Sequence, residues 1–567
     1  MSRPISLVAL LLSLGACRSP AVSNTGTGAS GGTTSTTSQG GGGTGAVGAG
    51  GTGAVGAGGT GAVGAGGSGA TGGSGGTGAV GAGGSGATGG SGPDSYIVSQ
   101  GDPDRVLLRG WVLTPDQSFA GEVLVVGDTL ACVAADCSGD PNASAASVVE
   151  TNGIILPGLI DAHNHILFDI FDETDWAPTQ AYNNHNQWTN EARYSAMVDA
   201  KQWLNGEFGS PLSLNCELNK YGELKALISG TTSVVGAANP TNSACYRTLA
   251  RTIDQSANGL CGGYPPPSCN DDVQVSTLFP PSNPDGVCAN FAAGTTDAYI
   301  VHVAEGVDQT ARNEFGTLRT CTAVDGCLFD PKTSIVHGTA LTATEFDQMA
   351  TAGMGLVWSP RSNVFLYGAG TDLTKTTNIP YARSKGLRVA IAPDWSMGGS
   401  QNMLDEMRFA DHVDNQAWGN VLGADDLLAM ATSTPAALLG LSAEIGRLAV
   451  GLKADVTVVG GDVGAPYAAV LAATPREVRL VMVGGVVLYG DDQLEPLAPQ
   501  TPGCDTFDAC GRAKFLCVAA SGGAAGDKFG QTLADITNVL TTELTAYDAQ
   551  NLTQWDFAPL TPLVRCQ

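Results

Sequence analysis

Six histidines occur in the chain, and four of them sit where short apolar runs end. The first run closes as PGLIDAHNH (157–165), placing His163 and His165 two residues apart. Side chains at that spacing on a strand project to the same side, so both imidazoles can face one metal ion. A second run, YIVHVAE (299–305), ends in His302 with the carboxylate of Glu305 just beyond. SIVHG (334–338) ends in His337, and VAIAPDW (389–395) ends in Asp394.

The elements that must carry these residues alternate. Ile154 to Ile160, Thr231 to Val235, Ala298 to Val303, Thr333 to Val336, Gly355 to Trp358 and Arg388 to Ala392 have strand length, and helix-like stretches such as Glu191 to Leu204 and Thr344 to Ala352 separate several of them. Strand and helix in alternation predict parallel βα units, and two further strands between Gly236 and Thr296 would close an eight-stranded (β/α)8 TIM-type barrel. Val273 to Phe279 is one candidate; Tyr246 to Ile253 reads equally as strand or helix. In such a barrel the ends of the strands are the face on which catalytic groups gather. Before and after the barrel lie two β-rich patches, RVLLRGWVL (105–113) with GEVLVVGDTLACV (121–133), and ADVTVV (454–459) with VRLVMVGGVVL (478–488).

Composition narrows the partners. Lys and Arg number 27 against 53 Asp and Glu, a formal charge of -26, which repels phosphate backbones and argues against nucleic acid. Arg3 followed by the apolar run Ile5 to Leu14 fits a signal peptide, too short to span a bilayer as a mature helix. The run ends in Leu14, Gly15, Ala16 and Cys17, which resembles a bacterial lipobox. A lipid on Cys17 would anchor the chain in the cell envelope, periplasmic or at the cell surface. Of the 14 cysteines, thirteen would remain for an oxidising compartment, leaving at least one thiol unpaired. From Asn24 to Gly92 no side chain is charged, and the unit TGAVGAGG recurs at Thr44, Thr52, Thr60 and Thr77. Such a segment cannot bury enough surface to offset chain entropy and is expected to be a flexible tether with a reach of roughly 45 Å.

Together, PGLIDAHNH, HVAEG (302–306), IVHGTALT (335–342), WSPRSN (358–363) and APDWSMGGSQNMLDEMR (392–408) resemble the amidohydrolase superfamily, in the branch of cytosine- and guanine-type deaminases and triazine chlorohydrolases. The closing stretch MATSTPAALLGLSAEIGRLAVGLKADVTVV (430–459) is similar to that branch's return into a small β-sandwich built from both chain ends. The resemblance spans about Arg105 to Asp492. It implies that His163, His165, His302 and Asp394 hold one divalent ion, usually zinc or iron, beside a water whose pKa the ion lowers toward roughly 7. It further implies that Asp394 takes the proton of that water, Glu305 delivers a proton to the substrate nitrogen, and His337 stabilises the oxygen of the tetrahedral intermediate. Asp161 is expected to orient a ligand. His185 reads as a rim or surface residue and His412 as a helix residue.

Two departures stand out. Trp395 follows Asp394 where the deaminases usually carry Gly, and a cysteine-rich stretch, Cys245 to Cys288, precedes the fifth strand. Binuclear relatives bridge their ions with a carboxylated Lys or a Glu from the middle strands, but no Lys lies between Ala226 and Pro331 and no Glu between Leu224 and Ala304. One ion is therefore expected. The leading function is metal-dependent hydrolysis of a non-peptide C–N bond in a small molecule, deaminating or hydrolysing a cyclic amidine or related N-heterocycle. Removal of a halide or thioether, lactam-like ring opening, and a catalytically silent surface lipoprotein are the alternatives.

The expected organisation is a signal peptide over 1–17, a tether over 18–93, sandwich segments over 94–153 and 442–495, a barrel over 154–441 and a cysteine-containing extension over 496–567. Short spacings make Cys132 with Cys137, Cys261 with Cys269, Cys321 with Cys327, and Cys504 with Cys510 the expected local disulfides, with Cys517 and Cys566 tying down the extension.

Overall fold

A computed structural model of the chain describes residues 94–566 except 115–116, 208, 237–248, 255–259, 261–272, 278 and 520–529. The signal peptide, the tether and the pair Cys261 with Cys269 lie outside the described residues. No helix among the described residues is long and apolar enough to cross a membrane.

Eight short parallel strands carry the candidate residues. Leu159–Asp161, Thr231–Val234 and Arg251–Thr252 form one parallel sheet. Val273–Ser276, Ala298–Val303, Thr333–His337, Gly355–Trp358 and Arg388–Ile391 form another. A parallel bridge between Asn164 and Asp394 joins the last strand to the first, as barrel closure requires. Every residue of Ala298–Val303 is buried, because a parallel strand covered on both faces reads as a continuous apolar run rather than an alternating one. The third strand has two residues, too few for any periodicity, and Val273–Ser276 supplies the fourth.

The first predicted strand divides in two. Ile154 to Pro157 finishes the long strand Ala146–Pro157, which pairs with Val456–Val459 outside the barrel. Only after Gly158 does the barrel strand Leu159–Asp161 begin. A Cβ on Gly158 would stand 2.2 Å from Thr232 Oγ1, so only glycine lets the chain cross between the two sheets.

Segments before and after the barrel build one ten-stranded sheet. Its strands include Asp102–Leu113, Ser118–Val126 and Thr129–Ala134 from the first β-rich patch, and Val478–Val483 and Val486–Asp491 from the second. The C-terminal extension is continuous with it, since the hairpin Asp505–Asp508 and Ala513–Leu516 pairs onto Val486–Asp491. Hydrophobic contacts are shared between this sheet, the first helices of the barrel and the C-terminal helix Leu533–Asp548.

All ten described cysteines are disulfide-bonded, so the unpaired thiol expected from the odd count is not found among them. Cys132 and Cys137 pair as expected. Cys327 pairs with Cys288 instead of Cys321. In the extension the bonds are Cys504 to Cys517 and Cys510 to Cys566. The hairpin decides this: Asp505 pairs with Leu516, which sets Cys504 beside Cys517.

Candidate metal centre and active site

The barrel strands deliver their terminal residues to one point. One donor atom each from His163, His302, His337 and Asp394 lie within 4.8 Å of one another, and all four residues are buried. His163 Nε2 is 2.9 Å from Asp394 Oδ1, and His165 Nε2 approaches the same oxygen at 3.3 Å. The His165 ring centre is 5.0 Å from that of His163 and 5.4 Å from that of His302. His337 thus stands inside the tightest donor quartet, with His165 at its more open edge.

The backbone is bent to achieve this. Ala304, His337 and Asp394 have φ of 59°, 65° and 73°, a left-handed conformation that costs non-glycine residues about 1–3 kcal/mol each and clusters at functional sites. Gly306 gives Glu305 room beyond its strand, since a Cβ there would stand 2.5 Å from Asn183 O.

Electrostatics favour a cation. Burial pushes the His163 imidazole down to about 4, and burial with the neighbouring imidazoles holds His302 well below its ordinary value. Burial opposes ionisation of Asp394, but hydrogen bonds to His163 and His165 and the surrounding imidazoles outweigh it and hold its carboxyl well below the usual range. Neutral imidazoles around one carboxylate are the donors a divalent ion takes. His163 Nδ1 is buried and has no hydrogen-bond partner among the described residues. His302 Nδ1 lies 3.1 Å from the Ser276 carbonyl and His337 Nδ1 lies 3.1 Å from Asn363 Oδ1, so each ring donates outward and turns its other nitrogen toward the cluster. These residues fit a bound divalent metal.

Residues 287–488 match the amidohydrolase family. The amidohydrolase resemblance holds. The chain is 24% identical over 419 residues to a 5-methylthioadenosine/S-adenosylhomocysteine deaminase of Haloarcula marismortui, covering 68% of this chain and 93% of that protein. Its fold is similar to that of a triazine hydrolase from Arthobacter aurescens, with a TM-score of 0.53 and 18% identity over 70% of this chain and 97% of the other. It is also similar to a zinc-bound adenosine deaminase from Xanthomonas campestris, with a TM-score of 0.50 and 19% identity over 67% and 92% of the two chains.

One helix supports three members of the site, Asp394, His337 and Glu305. Pro360–Tyr367 follows the seventh barrel strand with Pro at its start, where the missing N–H costs nothing. From it, Ser362 Oγ donates to Asp394 Oδ2 at 2.5 Å, Asn363 accepts from His337, and Tyr367 Oη donates to Glu305 Oε1 at 2.9 Å. Trp188 Nε1 in turn donates to Tyr367 Oη at 3.3 Å. None of these four supporting residues was assigned a role from sequence. Ser362 and Asn363 stand in the WSPRSN motif, which located the strand end but not the partners of the helix face.

The remaining candidates separate. Asp161 touches no imidazole ring: its oxygens accept the His163 backbone N–H at 3.1 Å and the Asn164 amide at 2.9 Å, so it holds the turn that carries the two histidines. Burial raises its carboxyl well above the ordinary value. His185 is partly buried beside Glu305. Its side chain is 14% exposed and its Nε2 lies 2.6 Å from Glu314 Oε1. Burial opposes its protonation, but Glu314 and the charges of Glu305 and Asp308 prevail and raise it to about 9. The His185 backbone N–H also donates to the Glu305 carbonyl at 3.1 Å, which anchors the loop rather than the chemistry. His412 is exposed on the helix Met403–Val413, as its helical spacing predicts.

Trp395 does form a wall. Its ring lies 5.6 Å from that of His165 and 5.5 Å from that of Trp188, and its buried Nε1 has no hydrogen-bond partner among the described residues.

Proposed function

We propose that the chain is a metal-dependent hydrolase that removes an exocyclic amine from a small N-heterocycle of the cyclic-amidine type. The observation that carries this reading is the meeting of His163, His165, His302, His337 and Asp394 with Glu305 at one end of the barrel. His163, His165, His302 and Asp394 hold one divalent ion, zinc in this reading. That ion supplies a water acidic enough to ionise near neutral pH. Asp394 is held ionised and accepts a proton as the ring carbon is attacked; Ser362 fixes which of its oxygens remains engaged. Glu305, oriented by Tyr367, carries a proton to the leaving nitrogen. His337, oriented by Asn363, faces the oxygen that gains charge. Trp395 and Trp188 exclude water from one side and offer flat surfaces to a planar ring.

The sequence relative, a deaminase, supports an aminated heterocycle as substrate; the triazine hydrolase is similar in fold alone. The lipobox-like LGAC (14–17) and the disulfide-bonded cysteines support a chain anchored by lipid on Cys17 and working in the bacterial envelope. Metal analysis followed by ammonia release across a panel of aminopurines, aminopyrimidines and aminotriazines tests the reading. Turnover of one amine set with ammonia matching product is expected. Release of chloride or thiol without ammonia would replace it, and a metal-replete protein inert to the whole panel would contradict it.

A further inference from the structure

The helix Pro360–Tyr367 has two working faces. Ser362, Asn363 and Tyr367 point to the metal cluster. Arg361, Val364 and Phe365, spaced i, i+3 and i+4 and therefore on the other side, line a separate cavity of about 230 Å³ with Met397, Phe409 and Glu173. This volume is smaller than the roughly 300–1,000 Å³ of most ligand pockets, which limits an occupant to a compact molecule.

The charges in this cavity are unequal. The Arg361 guanidinium lies over the Phe409 ring at 5.0 Å, its buried Nε has no hydrogen-bond partner, and no carboxylate among the described residues forms an ion pair with it. Glu406, the buried carboxylate that acts on it electrostatically, spends its oxygens on the Arg361 backbone N–H at 3.2 Å and on Ser400 Oγ. At the rim Glu173 is already paired with Arg565. The cavity thus has a paired carboxylate at its edge, a guanidinium that forms no ion pair among the described residues, and apolar side chains between. Gly398 lets the Phe365 wall pack closely against it: a Cβ there would stand 2.3 Å from the Phe365 ring.

We propose that this cavity is a binding site for a compact organic carboxylate, with its carboxylate on Arg361 and its apolar body against Val364, Phe365, Met397 and Phe409. A planar guanidinium with open donors takes a carboxylate two hydrogen bonds at a time. The overall charge of -26 disfavours anions at the surface, so binding depends on this one side chain.

The test is calorimetric titration of the full chain with benzoate and, separately, with its neutral isostere benzamide. Benzoate is expected to bind once per chain and benzamide at least roughly tenfold more weakly. Arg361→Gln should weaken benzoate by roughly tenfold or more with metal content unchanged, and Arg361→Lys, which keeps charge but not the planar fork, should fall between. Should Arg361→Gln not fold, the Arg361→Lys comparison carries the test. Equal affinity for benzoate and benzamide, or no binding of benzoate at millimolar concentration to folded protein, would overturn the proposal. So would benzoate binding that survives Arg361→Gln and disappears on chelation, because the anion would then sit on the metal.

Discussion

The two ends of the barrel handle buried charge in opposite ways. At its foot, Gly158 donates to the Asp455 carbonyl, and the Asp455 carboxylate pairs with Arg251 of the third strand while also accepting the Gly484 N–H at 2.7 Å. One cation meets one anion, and the pair ties barrel to sheet. At the mouth, four imidazoles crowd a single carboxylate and three residues hold left-handed backbone. Crowded donors and strained backbone at one end, with complementary charge at the other, separate a site built for chemistry from one built for stability.

Mutations at the two ends should therefore fail differently. At the mouth, His163→Ala is expected to remove metal and activity together, because it deletes a ligand. Glu305→Gln should lower kcat by roughly 10²-fold to 10⁴-fold with metal occupancy intact. Kinetics paired with metal analysis checks both, and a metal-free Glu305→Gln would make Glu305 a ligand. At the foot, Asp455→Asn leaves Arg251 buried and uncompensated. Chemical denaturation should show a loss of about 3–5 kcal/mol, while kcat per folded molecule stays unchanged. A fall in kcat there would erase the distinction.

Glu406 lies on the mouth side, bonded to Ser400 and to the Arg361 backbone. Burial raises its carboxyl to about 7 from an ordinary value of 4.5, so the folded state favours its neutral form. Its contribution is fully present below about pH 4.5 and is lost as pH rises through about 7, on the order of 3 kcal/mol in all. Glu406→Gln should remove that slope, gaining stability relative to the wild type above pH 7; parallel pH–stability curves for the two proteins would refute it. The smallest effect is expected from Ser362→Ala, which removes the donor to Asp394 Oδ2 and should cost roughly 10–100-fold in metal affinity or activity, measured by competition with a chelator.

Much of the mouth was legible in the sequence because its residues end strands: His163, His165, His302, His337 and Asp394 each follow an apolar run whose direction fixes where they go. The support around them was not. Tyr367 and Trp188 come from different elements and meet only in the fold, and neither carries a local pattern. The third strand, Arg251–Thr252, escaped because two residues have no period, and the first was drawn four residues too long because Pro157 and Gly158 join two strands of like composition. Disulfide connectivity in the extension followed the hairpin register, which spacing alone does not encode.

The central claim is that the mouth of the barrel holds one divalent ion. Elemental analysis of the purified full chain, after removal of loosely bound metal, measures this directly. The account predicts close to one ion per chain in the wild type and close to none in His163→Ala. Two firmly held ions, or a metal-free protein that folds and turns over its substrate at the wild-type rate, would contradict it.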